Sequence, residues 1–187
     1  VTDGADRCCR REASVSVVPG DPASLSACAS TARSVGHGLT GQASRVRATS
    51  RELAQGWTGR TSAGVRQRAS GLADATDAAA SELDRMGRVL QDHASDLADL
   101  VARGRAVEER ARAAGLVVRD GRVELAWGVT GAADSGADRE REHLRTALQA
   151  DLDLVLAQHR RRRDWVLEVL RDSTTALAGV SHKLRGG

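Results

Sequence analysis

The residues of this sequence that could do chemistry are five histidines, three cysteines and a few acidic pairs. Glu142-His143 brings a base beside a carboxylate. Zinc hydrolysis, however, needs two histidines one helical turn apart, as in His-Glu-x-x-His, and the second is missing. Asp151-Leu152-Asp153 has the look of a cation-binding pair. On a helix those side chains diverge by about 200°, and no further oxygen ligands lie nearby. Cys8 and Cys9 are neighbours that do not easily bond each other, and Cys28 falls on an expected helix; none has zinc-site spacing. No disulfide framework is read, which fits a cytosolic history or export after folding. No serine sits in a Gly-x-Ser-x-Gly elbow. Gly36, Gly38 and Gly41 lie inside a helical period instead of a phosphate loop, and they read as close-packing positions. Each costs about 1 kcal/mol against alanine, so the helix that holds them should lean on a neighbour. Nucleophile, base and orienting group cannot be assembled. The expectation is a chain without enzymatic activity, with no catalytic residue, metal site or cofactor.

Two features remain as candidate interaction sites. His93 lies on an apolar helical stripe. It reads either as a pH-sensitive seam or partner position, because imidazole titrates near neutrality, or as a polar residue tolerated at a thin seam; the second reading is favoured. The stretch "HRRRRDW" (159 to 165) winds four arginines around a helix, so Arg162 and Arg163 fall near its apolar side. Such a run could grip nucleic acid or anionic lipid. Asp151, Asp153, Asp164 and Glu168 cut its field, and no array of aromatics accompanies it. A solvated or partner-facing charged turn, with arginine stems covering apolar surface, is the favoured reading.

The elements that would hold these residues are helical. Hydrophobic content is 41%, but aromatics are 2%, so apolar area is buried by small side chains in a thin seam between close helices. Charged residues at 28%, with abundant Ala, Leu, Arg, Glu and Asp, point to long helices or coiled coil. The net charge of +3 across 187 residues does not imply a whole-protein field strong enough to hold DNA. No apolar stretch approaches the roughly 18 residues needed to span a bilayer, and no apolar leader follows the first residues.

Residues 1–18 read as a disordered arm. "PGDPASL" (19 to 25) then signals a helix start, with Asp21 as cap and Pro22 at the first turn. From there a seven-residue repeat carries a bulky stripe, Leu25, Ala32, Leu39, Val46 and Leu53. Beside it runs a small one, Ala29, Gly36, Ala43 and Ser50, reaching Trp57. After "WTG" two stripes resume. One holds Val65, Leu72, Ala79, Met86, His93, Leu100, Val107 and Ala114; the other holds Ala69, Thr76, Leu83, Leu90, Leu97, Gly104 and Ala111. They predict a second helix of roughly 50 residues, about 75 Å long, ending at Gly115. Asp120-Gly121 predicts a short β-hairpin or extended linker within residues 116–136. A third helix is expected over 137–185. Two long helices of one period, joined by a few residues, must run antiparallel. That puts Trp57 at the tip, where it can cover the open end of the seam. Gly59 supplies the backbone freedom for the reversal, and Thr58, Thr61 and Ser62 are candidate caps.

Trp57-Thr58-Gly59 between two amphipathic helices resembles the WXG family of helical-hairpin proteins exported by type VII (Esx) secretion. The resemblance covers about residues 19–114. It implies a hairpin turn formed by Trp57 and Gly59. It also implies pairing with a second hairpin, as a homodimer or heterodimer, into a four-helix bundle. The family's usual export signal, Tyr-x-x-x-Asp/Glu, has no counterpart, since the chain has no tyrosine. His93 stands where a tyrosine would be expected, but its acid, Asp96, is one residue too close. Either a partner supplies the signal, or the protein is a cytosolic relative.

The reading is therefore all-α: a WXG-like hairpin over 19–115 with a third long helix, as a three-helix or coiled-coil-like bundle. The expected function is a type VII secretion substrate or its dimer partner, secreted without a cleaved signal peptide. The alternatives are a cytoplasmic coiled-coil adaptor and, less favoured, a basic helical protein touching nucleic acid or membrane through Arg160 to Arg163.

Overall fold

The computed structural model describes residues 16–126 and 135–185. Three long helices dominate: α1 (Pro22–Gly56), α2 (Arg60–Ala113) and α3 (Ser135–Arg185). Between the last two lies a small antiparallel pair, β1 (Leu116–Arg119) and β2 (Arg122–Leu125). The fold is all-α with one short hairpin, as composition and periodicity require. The expected arm falls mostly on residues 1–15, which lie outside the described residues, as does 127–134 of the expected linker.

The chain divides into two compact units, one from Val1–Pro19 and Val101–Asp153, the other from Gly20–Leu100 and Leu154–Gly187. In the second unit α1 begins as expected. Asp21 accepts the Ala23 N–H at 3.0 Å, and Pro22 opens the helix. α1 and α2 run antiparallel, because their contacts descend on one helix as they climb the other. Ser26 donates to Gln91 at 2.9 Å, Arg33 pairs with Asp84 at 3.6 Å, and Arg47 reaches both Asp74 and Asp77. α3 runs antiparallel to α2 by the same logic, with Arg162 on Asp96 and Arg85 on Ser173.

The stripe that fills the α1–α2 seam is the small one. Ala29, Gly36 and Ala43 are buried on α1; Ala73, Ala80, Gly87 and Ala94 are buried on α2. The two backbones nearly touch. A Cβ at Gly36 would lie 3.0 Å from the Ala80 carbonyl oxygen, and one at Gly87 would lie 2.9 Å from that of Ala29. Dispersion between close backbones replaces the usual interlock of large side chains. The expected bulky stripe of α1 sits at the edge of this seam, half-buried, and Leu53 is exposed. On α2, Val65 and Leu72 are likewise exposed. Hydrophobicity favoured the large residues, whereas closeness selected a stripe one position away. Gly38 and Gly41, expected as close-packing positions, have nothing within 4 Å of where a Cβ would stand.

In the first unit, the end of α2 meets the hairpin and the start of α3. Ala114 and Gly115, the latter at φ +70°, close α2 through N–H bonds to Arg110 and Arg112 carbonyls. Asp120 (φ +48°) and Gly121 (φ +75°) make the tight turn, both left-handed as a two-residue hairpin loop demands. A lone hairpin is marginal in water, and here α3 supports it. Gln149 accepts the Val123 N–H at 2.8 Å and donates to the Gly121 carbonyl at 3.1 Å. Leu116, Val123, Leu148 and Leu152 are buried, and Arg110 pairs with Asp151 at 2.8 Å. The arm expected to run disordered to residue 18 is ordered at its end. Val18 is fully buried, Val17 donates its N–H to Glu108 at 3.1 Å, and both valines lie against Gly104. Their side chains fill the gap that a residue without a Cβ leaves.

Candidate functional site

Two places in the second unit bring candidate residues together. The first is the α1–α2 reversal. α1 ends at Gly56, and Trp57 caps it in an extended conformation (φ −129°, ψ 112°), its N–H bonded to the Leu53 carbonyl. Gly59 has φ +114°, a region that side chains rarely adopt, and this carries the chain into α2. Its carbonyl accepts from both the Ser62 hydroxyl and the Ala63 N–H. Ser62, read as a cap, is buried and stitches the turn by that donation.

Trp57 does not seal the seam as expected; it remains 42% exposed. The buried positions nearest the turn are Ala43, Ser62 and Ala73. Trp57 instead forms part of the wall of an open groove of about 310 Å³, with Val46, Thr49 and Leu53 of α1 and Val65 and Ala69 of α2. Ser50, Arg45 and Arg66 complete the lining, and Arg66 donates to the Trp57 carbonyl at 3.2 Å. The groove is apolar inside and basic at its edge. Periodicity marked Leu53 and Val65, but not that they would stay outside the core.

The second place is a polar cluster between α2 and α3. His93 is buried, 7% exposed, and its Nδ1 has no hydrogen-bond partner. His159 of α3 is equally buried and acts on it electrostatically. Burial first, then His159 and Arg162, hold the His93 pKa below the usual histidine value; Asp96 opposes them. Asp96 is itself engaged by Arg162 at 2.6 Å. A proton arriving on His93 therefore meets a desolvated seam whose one nearby carboxylate is already paired. Arg162 also lies over the Trp165 ring, 6.0 Å from its centre, at the outer limit of a cation–π contact. Arg163 is not part of this cluster; it is exposed and pairs with Asp164 at 2.8 Å.

The structure thus joins His93 to Arg162, and Trp57 to the turn made by Gly59; none of His93, Arg162 or Arg163 lines the groove. His159 was not singled out for its position. It occupies the buried stripe Leu148, Leu152, Val155, His159, Val166 and Ser173, and that spacing is visible in the sequence. Among the described residues no group of three or more His, Cys, Asp or Glu could hold a metal ion. No helix among them is long and apolar enough to cross a membrane. No family model matches the chain, and neither a curated protein nor a solved structure is significantly similar to it.

Proposed function

We propose that the chain is a non-enzymatic helical interaction protein associated with type VII secretion, either as a substrate or as a substrate's dimer partner. The observation that carries the binding role is the apolar surface left at the turn end of the α1–α2 pair. Leu53, Trp57, Val65 and Leu72 are all exposed, whereas the buried positions between the two helices here, Ala43, Ser62 and Ala73, are small. Exposed apolar residues clustered on facing helices mark interaction surfaces. The secretion role rests on Trp57-Thr58-Gly59, which stands at the reversal between two long antiparallel helices, the place where WXG hairpins carry it. The partner would be another helical hairpin, and the route would be export without a cleaved leader.

A cytoplasmic adaptor is the second reading, favoured by the missing tyrosine signal. The nucleic-acid or membrane reading through Arg160 to Arg163 loses ground, because Arg162 and Arg163 are each committed to an aspartate. Co-expression tests the proposal. A second Trp-x-Gly protein encoded beside this chain should co-purify with it in a fixed ratio. The tagged pair should reach the medium only when the neighbouring secretion ATPase is intact. Co-purification without export selects the adaptor, and the absence of both co-purification and export removes both readings.

A further inference from the structure

We infer that the arginine-edged groove at the α1–α2 turn binds an acidic amphipathic helix of a partner protein. The inference rests on the reading of the chain as an interaction protein and names the chemistry of one partner surface. Its ground is charge placement. From residue 41 to residue 73 the sequence holds six arginines and one acidic residue, Glu52, whereas the whole chain carries a net charge of only +3. Counting Asp74 and Asp77 with this stretch, the segment 41–77 carries a net charge of +3, as much as the entire molecule. Arg47 is the exception that is internally neutralised, by Asp74 and Asp77. Arg45 and Arg66 line the groove, and Arg51, Arg60 and Arg68 are exposed on the same two helices.

The shape of the groove selects the occupant. It runs between α1 and α2, lined by Val46, Thr49 and Leu53 on one side and Val65 and Ala69 on the other. These residues follow helical spacing, so the groove lies along the helices and accepts a third helix through anchors at i, i+3 or i+4, and i+7. Its volume of about 310 Å³ sits at the small end of ligand-sized pockets and suits a few apolar side chains. Carboxylates flanking those anchors would meet the arginines, giving steering and specificity more than raw affinity. A bilayer would take up protruding side chains, not a concavity. A nucleic acid would need a series of stacking platforms, whereas this lining offers a single indole, that of Trp57.

The test uses the intact chain and a fluorescein-labelled helical peptide of about 18 residues, five turns, with leucines on one stripe and glutamates elsewhere. Fluorescence anisotropy should report binding that weakens as salt rises. Replacing the leucines by serine, or the glutamates by lysine, should abolish it. Val65→Glu, and separately Arg45→Glu with Arg51→Glu, should each weaken binding about tenfold or more while helical circular dichroism stays unchanged. If Val65→Glu fails to fold, the arginine pair decides. Binding indifferent to the leucines or to these variants would overturn the inference. So would no binding by the peptide, or preferential capture of phosphatidylglycerol vesicles or a single-stranded oligonucleotide through the same residues. A chain that pairs with a second hairpin yet ignores the peptide overturns this inference alone. A chain that binds the peptide but never pairs overturns the dimer reading alone.

Discussion

His93 places a titratable ring in a mostly buried seam, with its Nδ1 covered and unpartnered. Its folded pKa lies below the ordinary histidine value, chiefly through burial and secondly through His159. The unfolded chain therefore takes up the proton first as pH falls. Stability from this group is fully present above the unfolded value near 6.5. It declines as pH drops from there through the folded value. His93→Leu should remove that part of the decline, seen as urea midpoints that differ less between neutral and mildly acidic buffer. At neutral pH the variant should be as stable as the parent or more so, because it deletes a buried polar atom without a partner. Trp57→Ala makes a complementary prediction. With 42% of the residue already in solvent, the loss should be about 1 kcal/mol in denaturant unfolding. A loss of about 3 kcal/mol, typical of a core aromatic, would mean the indole is buried in solution. The reversal at Gly59 could be read in advance because a glycine and a break in the heptads are both local. The neighbours of His93 could not, since they come from a helix some 65 residues later and only folding brings them together.

At the scale of the element, the α1–α2 pair is held by what its residues lack. Gly36 faces the backbone of Ala80, which cannot move aside as a flexible side chain would. Gly36→Val should therefore cost about 1–3 kcal/mol from overpacking. Gly38→Ala, two residues away in open space, should instead raise stability by up to about 1 kcal/mol. Thermal melts of the two variants should move in opposite directions; movement in the same direction would contradict the seam assignment. The caps at Asp21 and Gly115 and the Asp120-Gly121 turn were legible in the sequence, because each needs only a few consecutive residues. The stripe Ala73, Ala80, Gly87 and Ala94 was not. Periodicity arguments weigh apolar bulk, and this contact is built on its absence. Nor was the docking of Val17 and Val18 foreseen, since two valines carry no period of their own.

Small residues inside the α1–α2 pair and larger ones outside it leave apolar surface unspent at its turn end, beside Arg45 and Arg66. A chain whose purpose was solely to fold would do better to reverse that placement. We propose that another protein covers this surface. Sedimentation equilibrium tests this on the 19.7 kDa chain alone and mixed with a candidate Trp-x-Gly hairpin protein. Coverage by a partner predicts a species of two or more chains in at least one of the two samples. It also predicts reversion to single chains when Leu53, Val65 and Leu72 are changed together to serine with helicity intact. A single-chain mass in both samples across the accessible concentration range would contradict it.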